Sequence, residues 1–130
     1  MIVDITNEVY DIIKKALPNV TVLQEFPETT PEFPCVIVSD DGYTSEPDTY
    51  DTSGEHYNMG TLTFDIFSNK KNKISECKGI RTDIDTIMSG TYGMERSFDD
   101  ATPNYLDSRI YRRTLKYDFK IDKDKNIYRR

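Results

Sequence analysis

The stretch GTLTFDIF, residues 60–67, sets Leu62, Phe64 and Ile66 against Thr61, Thr63 and Asp65 in strict alternation. A period of two belongs to an extended strand with one face buried and the other polar. IYRRTLKYDFKID, residues 110–122, repeats the pattern over a longer run. Tyr111, Leu115, Tyr117, Phe119 and Ile121 are expected inward, and Arg112, Thr114, Lys116 and Lys120 outward. Two such strands predict a sheet with one apolar and one polar face. VTVLQEF (20–26) and CVIVSD (35–40) are shorter β-branched runs. Between them PETTPEFP carries three prolines, which make a stiff, extended link and not a tight hairpin. YGMERSFDD (92–100) reads as a further short strand.

Elsewhere the period changes to that of a helix. DITNEVYDIIKKALP (4–18) places Ile5, Val9, Ile12, Ile13, Ala16 and Leu17 on one stripe, with Asp4 or Thr6 as N-cap and Pro18 as terminator. SNKKNKISECKGIRTDIDTIMSG (68–90) does the same with Ile74, Cys77, Ile80, Ile84, Ile87 and Met88, and Gly90 is the expected residue just past its end. Lys70, Lys71 and Lys73 oppose the dipole at its start, which puts the first turn nearer Asn72 than Asn69. The order is αβββαββ: an α+β fold with a mainly antiparallel sheet of about five strands and two helices packed on one face. No repeat or linker divides the chain. Residues 1–130 are expected to form a single domain with a long loop at about 41–56.

One domain of 130 residues buries roughly two-thirds of the surface of its unfolded chain, a modest core. At 36% hydrophobic residues and a mean hydropathy of -0.66, that core is lean enough to leave room for stability gained from partner subunits. No run approaches the roughly 20 apolar residues of a membrane span, and MIVDITNEVY lacks the parts of a signal peptide, so a cytoplasmic site of synthesis and no membrane partner are expected. Cys35 and Cys77 lie in apolar runs outside any CxxC pattern and are expected as buried free thiols.

Charge is unevenly distributed. The net charge of -6 argues against nucleic acid as a partner, since phosphate binding needs clustered cations. Residues 1–65 hold 13 acids and 2 bases, a net of -11, whereas residues 66–130 hold 10 acids and 15 bases, a net of +5. On one reading the attraction between halves is neutralised within the fold. Alternatively, if the charges segregate to opposite flanks, it favours head-to-tail contact between copies.

No catalytic constellation, cofactor site or metal site emerges. Asp40 with Asp41, and Asp99 with Asp100, sit beside turn formers and read as solvated loop acids, not as an acid–base pair. Asp122, Asp124 and Asn126 imitate the opening of a calcium loop, but Ile127 replaces the turn glycine and no closing glutamate follows. His56 is the single histidine, without a second histidine or spaced cysteines for zinc, and Ser53 beside it matches no nucleophile elbow.

Three segments in combination resemble the tail-terminator or tail-completion proteins of long-tailed bacteriophages and prophages, some of them labelled minor capsid proteins. They are the helix ending ALPNVTV followed by FPETTPEFPCVIV; DTSGEHYNMGTLTFDIFSNKKNKISECKGI, a strand passing through a lysine-rich turn into a helix; and TPNYLDSRIYRRTLKYDFKIDKDKNIYRR, in which Thr102, Pro103 and Asn104 lead into an arginine-bearing strand. Together they cover most of the chain. The resemblance implies a structural protein of virion assembly and no enzyme. Six copies would close a ring on the tail tube, end its polymerisation and offer the head-tail joining surface. The implied partners are the chain itself in a homo-hexameric ring, the tail tube protein, and the head connector or head-closure protein; the implied location is the neck or tail end of the virion, with host cytoplasm during assembly. Within that reading Arg112, Arg113, Arg129 and Arg130 are expected to meet acids of the 40–55 loop, Asp48 and Asp51 among them, or of the first helix on a neighbouring subunit, with Tyr43, Tyr50 and Tyr128 supplying contact area. The alternatives are another neck protein, a monomeric peptide-binding module, and a small hydrolase built on the loop acids and His56.

Overall fold

The computed structural model describes residues 3–45, 57–102, 109–122, 124 and 127–129. Its centre is the pair that the alternation marks. β3 (Tyr57–Ser68) and β5 (Tyr111–Asp122) run antiparallel in unbroken register from Tyr57↔Asp122 to Ser68↔Tyr111. That register puts Leu62 opposite Tyr117 and Phe64 opposite Leu115 on one face, all fully buried. The Phe64 and Tyr117 rings meet edge to face, 5.7 Å between centroids.

Around this pair the sheet order is β1-β2-β3-β5-β4, where β1 is Thr21–Leu23, β2 Cys35–Ser45 and β4 Arg96–Thr102. All pairings are antiparallel except β1 with β2. The proline-rich link explains that exception, because residues 24–34 carry the chain back to the start of β2 and so align the two strands in parallel. The sheet also gains a sixth strand, β6 (Ile127–Arg129), which pairs with β5 beyond the end of β4. β2 is longer than CVIVSD: its ladder shifts between Asp40 and Tyr43, Gly42 sits at φ +98°, and pairing resumes with Tyr43↔Gly60. Residues 41–45 of the expected loop therefore belong to a strand, and residues 46–56 lie outside the described residues.

Both helices cover one face of the sheet. α1 (Thr6–Ala16) contributes Val9 and Ile13, and α2 (Lys73–Tyr92) contributes Cys77, Ile80, Ile84 and Met88, to one core with Val36, Val38, Leu62, Phe64, Leu115 and Phe119. The N-cap of α1 is Ile5, without a side-chain cap, and not the expected Asp4 or Thr6; Asp4 lies one residue earlier, where its carboxylate accepts the Thr6 N–H at 2.8 Å. Ala16 is exposed and lies off the buried stripe.

α2 begins after Asn72, as the lysine run requires, but its end corrects the expectation at Gly90. The helix continues to Tyr92, and Gly93 takes the left-handed conformation at φ +66° while its N–H reaches the Ser89 carbonyl at 3.0 Å. Gly90 is an ordinary helical residue, and Ile74 is 50% exposed instead of joining the stripe. The Gly93→Ala variant is expected to lose about 1 kcal/mol, since an L side chain is disfavoured in that conformation; urea denaturation measures it. An unchanged midpoint would mean that the helix end can relax.

Cys35 and Cys77 are both fully buried free thiols, as expected. Burial pushes Cys35 up to about 11; burial, with the Glu76 carboxylate adding to it and Arg113 opposing, pushes Cys77 up to about 12. At pH 8 about one Cys35 in a thousand is then thiolate, so iodoacetamide should label neither cysteine until urea unfolds the chain. Stoichiometric labelling of the native protein within minutes would contradict this burial.

Candidate functional site

No described helix covers the second face of the sheet, and its side chains organise themselves. Across the sheet run the rows Cys35–Phe67–Arg112–Thr102 and Ile37–Asp65–Thr114–Asp100, with Ser39–Thr63–Lys116 beyond them. The face is polar as the alternation predicts, yet Ile37, Thr63, Asp65 and Thr114 are buried. Asp65 is the hub. Its Oδ1 accepts from Arg112 Nε at 3.1 Å and Nη2 at 3.0 Å, and from the Thr114 hydroxyl at 2.7 Å. Thr114 in turn shares a hydrogen bond with Thr102. Next to it Lys116 reaches Asp41 at 3.2 Å, Thr63 donates to the same carboxylate, and Thr61 donates to Asp118.

Arg112 also lies over the Phe67 ring, 5.7 Å from its centroid, and Phe67 meets Phe26 edge to face. Phe26 is 63% exposed, the most exposed of the large apolar side chains among the described residues.

A second charged group joins α2 to the β4 edge. Asp99 receives Arg113 Nε at 2.7 Å and Arg81 Nη1 at 3.3 Å, while Arg96 bridges to Asp85 at 3.6 Å. Arg113 is held charged first by the bond to Asp99, burial opposing, and its Nη1 also donates to the Tyr111 hydroxyl. Burial raises the Tyr117 phenol, and its hydrogen bond to Asp85 raises it further. Asp99 and Asp100 are thus strand residues. The expectation of solvated loop acids is corrected for Asp99, which is enclosed by guanidinium groups because β4 runs beside β5.

The third group lies where α1 begins. The Tyr43 hydroxyl donates to Asp4 at 3.1 Å and accepts from the Ile5 N–H at 3.3 Å, and Thr6 donates to Asp40 at 3.0 Å. Burial opposes ionisation of Asp4, but the bonds from the Thr6 side chain and N–H and from Tyr43 outweigh it and lower its pKa. Burial raises Tyr43.

Of the expected contact residues, Arg112 and Arg113 are engaged within the chain, with Asp65 and Asp99, and Arg113 is only 11% exposed. Tyr43 packs on Phe119 and closes the α1 corner. Tyr128 and Arg129 lie on β6, paired in backbone register with Lys120 and Phe119. Asp48, Tyr50, Asp51 and Arg130 lie outside the described residues, as does His56. Asp65 and Arg81 help to organise the two charged groups without having been singled out as site residues, and Asp99 was read only as a solvated loop acid. For Asp65 the signal was present: a carboxylate in the middle of a strand needs a cation within reach.

Among the described residues no group of three or more His, Cys, Asp or Glu side chains is placed to hold a metal, and no helix is long and apolar enough to cross a membrane. The topology does sort the charges. Residues 3–45, which form α1, β1 and β2, carry eight acids against two bases, a net of -6. Residues 69–102 and 109–122, which form α2, β4 and β5 on the opposite flank, carry eleven bases against eight acids, a net of +3. No model of a known protein family matches the chain, and no curated protein matches it significantly.

Proposed function

We propose that this chain is a structural subunit of a bacteriophage or prophage tail end: a tail terminator that assembles as a ring, ends tube polymerisation and presents the head-tail joining surface. The observation that carries the reading is the sorting of charge by sheet order. An acidic flank built on α1, β1 and β2 and a basic flank built on α2, β5 and β4 stand on opposite sides of one subunit. Apart from the Lys116–Asp41 bridge, opposite charges so placed favour a head-to-tail contact, the kind of interface that closes rings. The α+β fold with helices on a single face agrees with what the sequence resemblance implies.

Light scattering after gel filtration tests the assembly. A ring of six 15.1 kDa chains has a mass of about 91 kDa, and electron microscopy of tail tubes mixed with the protein should show capped ends of uniform length. A 15.1 kDa monomer at every concentration that also leaves tube ends bare would sink the assignment.

A further inference from the structure

We propose that neighbouring copies of this chain meet through two patches on opposite flanks of the sheet: a basic one at the β3–α2 turn and an acidic one at the start of α1. The proposal rests on the ring reading above and names the surfaces that would carry it.

The basic patch follows from register. β3 ends at Ser68, opposite Tyr111 at the start of β5, and the turn from β3 leads into α2. The lysine run 70–73 is therefore brought beside the start of β5, where Lys73 Nζ donates to the Arg109 backbone carbonyl at 3.1 Å. Among the described residues, two carboxylates near the lysines are already engaged. Glu76 accepts from Ser68 at 2.7 Å with Lys70 at 3.8 Å, and Asp65 is buried under Arg112.

The acidic patch lies on the other flank, at the level where Asp40 and Tyr43 of β2 pair with Leu62 and Gly60 of β3, well along the strands from Ser68. Hydrogen bonds from Thr6 and Tyr43 hold Asp40 and Asp4 together there. Asp41 follows on β2, and the exposed Glu8 and Asp11 continue the surface along the first turns of α1. Lys116, on Asp41, is the cation among the described contacts of this patch, and Lys14 and Lys15 lie at the far end of α1.

A patch and its complement held on opposite flanks of one sheet are kept apart within a subunit. They meet when copies align head to tail, and the contact is heterologous. Charge also decides between a second copy and a nucleic acid. The chain as a whole is at -6, which repels a polyanion, while the counter-charge that the lysine patch needs is carried by the same chain.

The test uses two full-length variants, Lys70→Glu/Lys71→Glu and Glu8→Lys/Asp11→Lys, with circular dichroism confirming that each folds. Sedimentation in 50 mM salt reads association. Each variant alone should associate about tenfold or more weakly than wild type, and an equimolar mixture should recover to within about threefold, because alternating copies restore every contact. Wild-type association should also weaken about tenfold between 50 and 500 mM salt, a readout that holds even if a variant does not fold.

Variants that each assemble like wild type overturn these patches while the ring reading stands, and so does a mixture no more associated than its components. A salt-independent wild-type assembly also overturns them. Loss of DNA binding by the lysine variant, with its assembly mass unchanged, assigns the patch to a polyanion and overturns the pairing. A wild-type protein that is monomeric at every salt and concentration overturns both readings.

Discussion

Removing Arg112 should destabilise the protein more than removing its partner Asp65. Arg112→Ala is expected to cost about 3 kcal/mol, and Asp65→Ala about 2 kcal/mol, because breaking a buried pair leaves one charge uncompensated and the cost follows how well that charge can reach water. The two side chains differ in this respect. The Asp65 carboxylate is 6% exposed and enclosed by the sheet, whereas Arg112 is 30% exposed and can swing its guanidinium outward. Without Arg112, the carboxylate retains the bond from Thr114 but no cation. Without Asp65, Thr114 still shares its bond with Thr102, and the guanidinium hydrates. Urea denaturation of both variants and of the double variant gives the order and the coupling. Equal costs, or the reverse order, would show that the carboxylate is better solvated than its burial implies.

This pair also marks where local sequence stops being informative. β3 and β5 are readable because burial on one face writes a period of two into Leu62, Phe64 and Ile66, and into Leu115, Tyr117, Phe119 and Ile121. The same alternation assigns Asp65 and Arg112 to the polar face, but their union over 47 residues depends on register, which the pattern does not record. Polarity along a strand therefore predicts the face and not the degree of burial.

The end of α2 shows a related limit. Gly90 and Gly93 both offer a glycine after an apolar stripe; Tyr92, partly buried against the core, carries the helix past the first to the second. For the candidate site, the sequence supplies the charge imbalance, while the sheet order supplies its direction. Arg112 and Arg113 carry the right charge for a partner surface, but the fold neutralises them with Asp65 and Asp99. The lysines of the β3–α2 turn look at first like a mere handicap to the helix dipole. Only the placement of the start of β5 beside them makes a surface of the turn.

Gly60→Val should be the other severe change, with an expected cost of about 3 kcal/mol from overpacking and a fall in Tm of about 10 °C for a chain of this size. A Cβ built at Gly60 would lie 2.8 Å from Cδ1 and Cε1 of Tyr43 and 2.9 Å from Cζ of Phe119. Neither ring can retreat cheaply. Phe119 is fully buried, and Tyr43 is packed against it, 5.9 Å between centroids, with its hydroxyl bound to Asp4 and the Ile5 N–H. Moving Tyr43 would therefore loosen the start of α1 as well as the β2–β3 ladder beyond the shift at Asp40, where Tyr43 pairs with Gly60. Gly79→Ala provides the contrast: it lies inside α2 with nothing within 4 Å of an added Cβ, so it should gain about 0.5–1 kcal/mol from helix propensity. Thermal and urea unfolding of the two variants side by side separate close packing from a general intolerance of glycine replacement. If Gly60→Val melted like wild type, Tyr43 would have to leave its place over the strand at little cost, and the link from that ring to the head of α1 would carry no stability.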